Sequence, residues 1–85
     1  MLKVYGSDIC GDCREFKALM QERGFEVDYV DITENVLNLK EFLKLRELPL
    51  FDEVKKNGSI GIPCILRDDG TVTLDWSEYV GQAEA

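Results

Sequence analysis

Leu2-Lys3-Val4-Tyr5-Gly6-Ser7-Asp8-Ile9-Cys10-Gly11-Asp12-Cys13 joins a short strand pattern, a turn and a closely spaced cysteine pair in one stretch. Leu2 to Tyr5 has the composition of a strand, and Gly6-Ser7-Asp8 stops it with small and polar side chains. From Gly11 to Arg23 the apolar residues Cys13, Phe16, Leu19 and Met20 recur at helical spacing. Gly24 then stands where a helix finds its left-handed cap. The cysteines therefore fall at the joint between a first strand and a first helix.

Outward from this joint, Phe25 to Ile32 alternates and becomes doubly apolar at Tyr29-Val30, as in a strand buried within a sheet. Thr33 is a plausible N-cap for a second helix, whose Val36, Leu37, Leu39, Phe42 and Leu43 pattern runs to about Arg46. Pro49 breaks that pattern, Leu50 to Lys56 has room for a further turn or two, and Asn57-Gly58 closes it. Ile60 to Leu66 reads as a third strand, Asp68-Asp69-Gly70 as a hairpin turn, and Thr71 to Leu74 as its antiparallel partner. Asp75, followed three residues later by Glu78, opens a last short helix. The order β-α-β-α-β-β-α predicts a mixed four-stranded sheet flanked by about three helices, a thioredoxin-like α/β arrangement.

Eighty-five residues with 45% apolar content suit one domain spanning 1–85. A formal charge of −7 repels phosphate backbones and anionic lipid, so neither nucleic acid nor a membrane surface is an expected partner. Met1 leads straight into the first strand with no apolar leader, and no apolar run approaches a membrane span. A reducing cytoplasm is the expected location, where a Cys-x-x-Cys pair reads as catalytic or metal-binding rather than structural.

Disulfide exchange needs a thiolate, which a free cysteine supplies sparingly at neutral pH. The chain has no histidine, so Cys-His pairs and Ser-His-Asp triads are excluded. What remains is the helix: at its N-terminus, unpaired N–H groups and partial positive charge face the Cys10 sulfur. Cys13, one turn on, shares that face and can displace a partner bound to Cys10. Gly11 leaves the approach open, Asp12 disfavours negative sulfur, and Arg14 offsets it. The plainer alternative, two small residues packed at a helix start, is weakened by the position directly after a first strand. Cys10, Cys13 and Cys64 offer three thiolates to a metal, but a fourth ligand of the usual kind is missing and no metal is expected.

Pro63 would open the third strand opposite Cys10, and a cis bond there would leave the Ile62 backbone free to pair with an extended substrate. The alternative is a simple edge-strand proline. Cys64 reads as a small buried hydrophobe, Trp76 as core or groove wall, and Asp75 with Glu78 as a cap.

With Cys10-Gly11-Asp12-Cys13 after the first strand and Ile62-Pro63 before the third, the sequence resembles the glutaredoxin family over nearly its whole length. The resemblance implies a thioredoxin-like fold, a cis bond at Pro63, Cys10 as nucleophile and Cys13 as resolving thiol. It implies a monomeric oxidoreductase that reduces protein disulfides or glutathione mixed disulfides, with glutathione as co-substrate. The family's usual Pro-Tyr or Pro-Phe between the cysteines is Gly11-Asp12 here, its lysine before the first cysteine is Ser7, and its Thr-Val before the proline is Gly61-Ile62. Its double glycine beyond the hairpin falls near Thr73-Leu74. Gly11, Asp12, Ile62, Pro63, Asp75 and Ser77 remain as candidate glutathione or substrate contacts. Two alternatives stand beside this one: a dedicated electron donor served by a thioredoxin-reductase-type partner, and a thiolate carrier of metal or cluster.

Overall fold

The computed structural model describes residues 1–79. Strand β1 (Leu2–Gly6) leads through a short turn into helix α1 (Gly11–Glu22), and the chain returns as β2 (Val27–Asp31). Gly24, with φ +77°, turns the chain between α1 and β2. Only glycine adopts that left-handed backbone without a Cβ penalty. Helix α2 (Val36–Leu45), a 3₁₀ turn at Pro49–Phe51, and α3 (Asp52–Lys56) follow, then the hairpin strands β3 (Cys64–Leu66) and β4 (Val72–Thr73).

The four strands lie in the order β2-β1-β3-β4. β1 runs parallel to β2, from Leu2 beside Val27 to Gly6 beside Asp31, and antiparallel to β3, with Tyr5 beside Cys64. The expected mixed thioredoxin-like sheet is therefore present, with β1 interior to it. Because successive side chains leave a strand on opposite faces, β1 feeds two cores. Val4 packs with Phe16 and Met20 of α1 and with Ile65, while Tyr5 packs with Val30, Ile32, Phe42, Phe51 and Cys64 on the α2 side. Trp76 closes the α1 side, its ring meeting Phe16 edge-on at 5.8 Å. Among the described residues no helix is long and apolar enough to cross a membrane.

Three boundaries differ from the sequence expectation, each for a local reason. The N-cap of α2 is Asn35, whose side chain accepts the Asn38 N–H at 2.9 Å, rather than Thr33. Asp31 takes Thr33 first: its carboxylate accepts both the Thr33 N–H at 2.8 Å and the Thr33 hydroxyl at 2.6 Å. This Asx-type turn bends the chain before the helix begins. Second, β3 starts at Cys64 and not at Ile60. Gly61 has φ +96°, outside strand geometry, and the Ile62–Pro63 bond is cis. A β-carbon on Gly61 would stand 2.7 Å from the Phe51 ring, so glycine is required by space as well as by conformation. Third, Glu78 does not reach back to cap the last helix but pairs with Arg67 at 3.0 Å. Asp75 accepts the Ser77 N–H at 3.2 Å where helical backbone begins, and the remainder of the expected helix lies outside the described residues.

Candidate active site

Cys10 occupies the N-cap of α1 with extended backbone, φ −97° and ψ 125°. The Ser7–Cys10 turn aims it there: the Cys10 N–H donates to the Ser7 carbonyl at 3.0 Å, and the Cys10 carbonyl accepts the Arg14 N–H at 3.1 Å. Its side chain caps no backbone group, so the sulfur is left for chemistry beside the unpaired amides of the first turn. Cys13 lies one turn further in and is fully buried, while Cys10 is half-buried. Burial pushes the Cys13 thiol up to about 12, and its hydrogen bond to Cys10 adds to the rise, against a backbone N–H of Ser7 that favours the anion. Burial therefore favours the protonated form of the Cys13 thiol.

Cys10 opens onto a cleft of about 460 Å³ whose wall includes Ser7, Ile9, Thr33, Gly61 and Ile62. The loop before β3 is thus brought against the cysteine joint. Arg46 fixes that loop from α2, donating to the Ser59 carbonyl at 2.9 Å and the Ile60 carbonyl at 3.0 Å. Pro63 is buried behind it. Gly11 and Asp12 are exposed on the first turn of α1, and a β-carbon on Gly11 would meet nothing within 4 Å. The fold does not demand glycine there, which leaves open access to Cys10 as its physical consequence. Asp75 and Ser77 hydrogen-bond to each other and are not part of the cleft wall. Among the described residues, no group of three or more histidine, cysteine or acidic side chains is arranged to hold a metal ion.

In sequence, Ser7 is a turn residue after the first strand and stands where the family carries a lysine. In the structure it is buried at 1% exposure, and its hydroxyl meets the Thr33 hydroxyl at 2.8 Å. Thr33 in turn bonds Asp31, whose carboxyl is held below its ordinary value chiefly by the Thr33 hydroxyl and N–H. A Ser7-Thr33-Asp31 chain therefore braces the cleft floor. The Asp-x-Thr spacing is its only sequence signal.

Cys64 is fully buried among Tyr5, Val30, Phe42 and Phe51, apart from the cleft. Burial pushes its thiol from 9.0 up to about 12. The folded state therefore favours the neutral thiol, a stabilisation complete below pH 9 and lost as pH rises toward 12. In reduced protein the urea midpoint is expected to fall between about pH 9 and about pH 11, and Cys64→Val to flatten part of that fall. An unchanged slope in Cys64→Val would contradict the burial assigned to this thiol.

A family model for glutaredoxin matches residues 2–70. An uncharacterized protein of Haemophilus influenzae Rd is 37% identical over 76 residues, covering 88% of this chain and 88% of that protein. No solved structure matches the chain. The matched span runs from β1 to the hairpin turn and takes in both cysteines of the α1 joint and Pro63, on a sheet of the order described above. This chain belongs to the glutaredoxin family.

Proposed function

We propose that this protein is a dithiol thiol–disulfide oxidoreductase in which Cys10 attacks and Cys13 resolves. The observation that supports it best is the pairing of a half-buried Cys10, at a helix N-terminus and open to a cleft, with a buried Cys13 hydrogen-bonded to it one turn below. The Cys10 thiolate attacks one sulfur of a substrate disulfide, and the other sulfur leaves with the electron pair and takes a proton from solvent. Cys13 then loses its proton and attacks the Cys10 sulfur. The bond from Cys10 to the substrate breaks, a second thiol departs, and a Cys10–Cys13 disulfide remains. Two glutathione thiols restore the dithiol by the reverse exchange and leave as glutathione disulfide. Ile62, directly before the cis bond, lines the cleft, and its backbone is the proposed partner of an extended substrate.

One observation favours a second reading. Among the described residues no charged side chain lines the Cys10 cleft, and nearby Arg46 has its guanidinium on the Ser59 and Ile60 carbonyls. Glutathione carries two carboxylates, which gain most from a charged donor. An electron donor reduced by a thioredoxin-reductase-type enzyme, acting on protein disulfides, needs no such cation. Turnover of a small mixed disulfide with glutathione and glutathione reductase, set against thioredoxin reductase as sole donor, separates the two. Robust turnover with glutathione supports the first, and turnover with the reductase alone supports the second. No turnover with either would overturn the oxidoreductase assignment.

A further inference from the structure

Tyr29 stands on β2 and joins the core beneath α1, with the Lys17 ammonium 4.5 Å from its ring centroid. Its hydroxyl is buried and has no hydrogen-bond partner among the described residues. A buried hydroxyl without a partner loses its hydration for nothing, and phenylalanine would fill the same space without that loss. Stability therefore does not account for the oxygen. Its surroundings do: a β-carbon built on Gly6 would lie 2.7 Å from the Tyr29 hydroxyl and 3.1 Å from Cys13 Sγ. The two polar atoms flank the same position, left open because residue 6 has no side chain.

We propose that Tyr29 is a positioning residue for the resolving step, its hydroxyl donating a hydrogen bond to the Cys13 sulfur as that thiol gives up its proton and attacks. The inference rests on the dithiol reading above. Only thiolate attacks, and burial makes the Cys13 thiolate costly, with the Ser7 N–H as one donor opposing that cost. The Tyr29 hydroxyl supplies a second. Burial, and next the charge of Cys13, raise its own pKa well above the ordinary value, so it stays protonated and available as a donor. Asp8, Asp31 and Cys10 place further negative charge around Tyr29, Asp12 does so for Cys13, and Lys17 is the cation on this side. In the step, Cys13 S–H loses its proton to solvent, the Cys13–Cys10 bond forms, and the Cys10–substrate bond breaks with its electron pair on the departing thiol. Tyr29 keeps its proton throughout.

The test is stopped-flow reaction of the reduced protein with excess Ellman's reagent, in wild type and Tyr29→Phe. Attack by Cys10 releases a first thionitrobenzoate, and resolution by Cys13 releases a second. Tyr29→Phe is expected to leave the first phase unchanged and slow the second by about tenfold or more at neutral pH, the scale of one hydrogen bond to a charged group. The pH profile of the second phase should move to higher pH. The urea midpoint of the variant should equal or exceed that of wild type, since a partnerless hydroxyl is gone. Two phases at wild-type rates would overturn the inference, as would an equal slowing of both, which marks a merely structural role. Wild type that releases only one thionitrobenzoate would instead overturn the dithiol reading itself.

Discussion

Cys10→Ser is expected to reduce disulfide turnover to the rate seen without protein, whereas Cys13→Ser should stop after one exchange with the substrate thiol held on Cys10. The asymmetry follows from placement. Cys10 stands at the helix N-terminus and opens to the cleft, so it meets the substrate first. A serine hydroxyl is not ionised at neutral pH and cannot replace the thiolate. Cys13 is buried and protonated, unable to attack an external disulfide but one turn from the sulfur it must attack next. Mass spectrometry of the two variants after mixing with a small disulfide reads the difference directly. An adduct on Cys13 in the Cys10→Ser variant, with turnover retained, would reverse the roles.

The second large effect is expected at Phe42. This side chain is fully buried, with its ring centroid 6.2 Å from Tyr5 and 6.0 Å from Phe51, the latter edge-on. It thereby ties α2 to the central strand and to the 3₁₀ turn. Phe51 in turn fills the space above Gly61, so the packing continues to the cleft wall. Removing a buried phenylalanine to alanine costs about 3–5 kcal/mol, against a total stability of about 5–15 kcal/mol that is smallest in small domains. Phe42→Ala should lower the melting temperature by roughly 15 °C or more, at about 4–8 °C per kcal/mol for a chain of this size. A loss of only a few degrees, read by thermal denaturation of the reduced protein, would show that the α2 side of the sheet is not the unit described.

The sequence was most legible where local chemistry and tertiary packing agree. The strand Leu2–Gly6, the helix Gly11–Glu22 and the turn at Gly24 follow from periodicity and glycine, and the α1-facing stripe of Phe16 and Met20 is the stripe that packs. Thr33 misled because two acceptors compete for one turn: Asp31 is near enough to take its N–H, which hands the cap to Asn35. The apolar pattern overextends the third strand because Ile60 to Pro63 is apolar for a different reason. It forms a loop shaped by Gly61 and the cis bond and held by Arg46 from another helix. Asp75 and Ser77 stand as contacts only through the family resemblance; in the structure they bond to each other and are not among the residues lining the cleft. The side-chain roles of Ser7 and Tyr29 have little sequence signal beyond the Asp-x-Thr spacing at Thr33. Their roles arise from what β1, β2 and the Thr33 turn bring together, and neighbours so far apart in sequence leave no local period.

A reversible disulfide between Cys10 and Cys13 is tested by peptide mapping with mass spectrometry after equilibration with oxidised and then reduced glutathione. The expected result is a Cys10–Cys13 linkage that forms and disappears with the glutathione ratio while Cys64 remains a free thiol throughout. A stable glutathione adduct on Cys10 with Cys13 still free, or a linkage that includes Cys64, would contradict it.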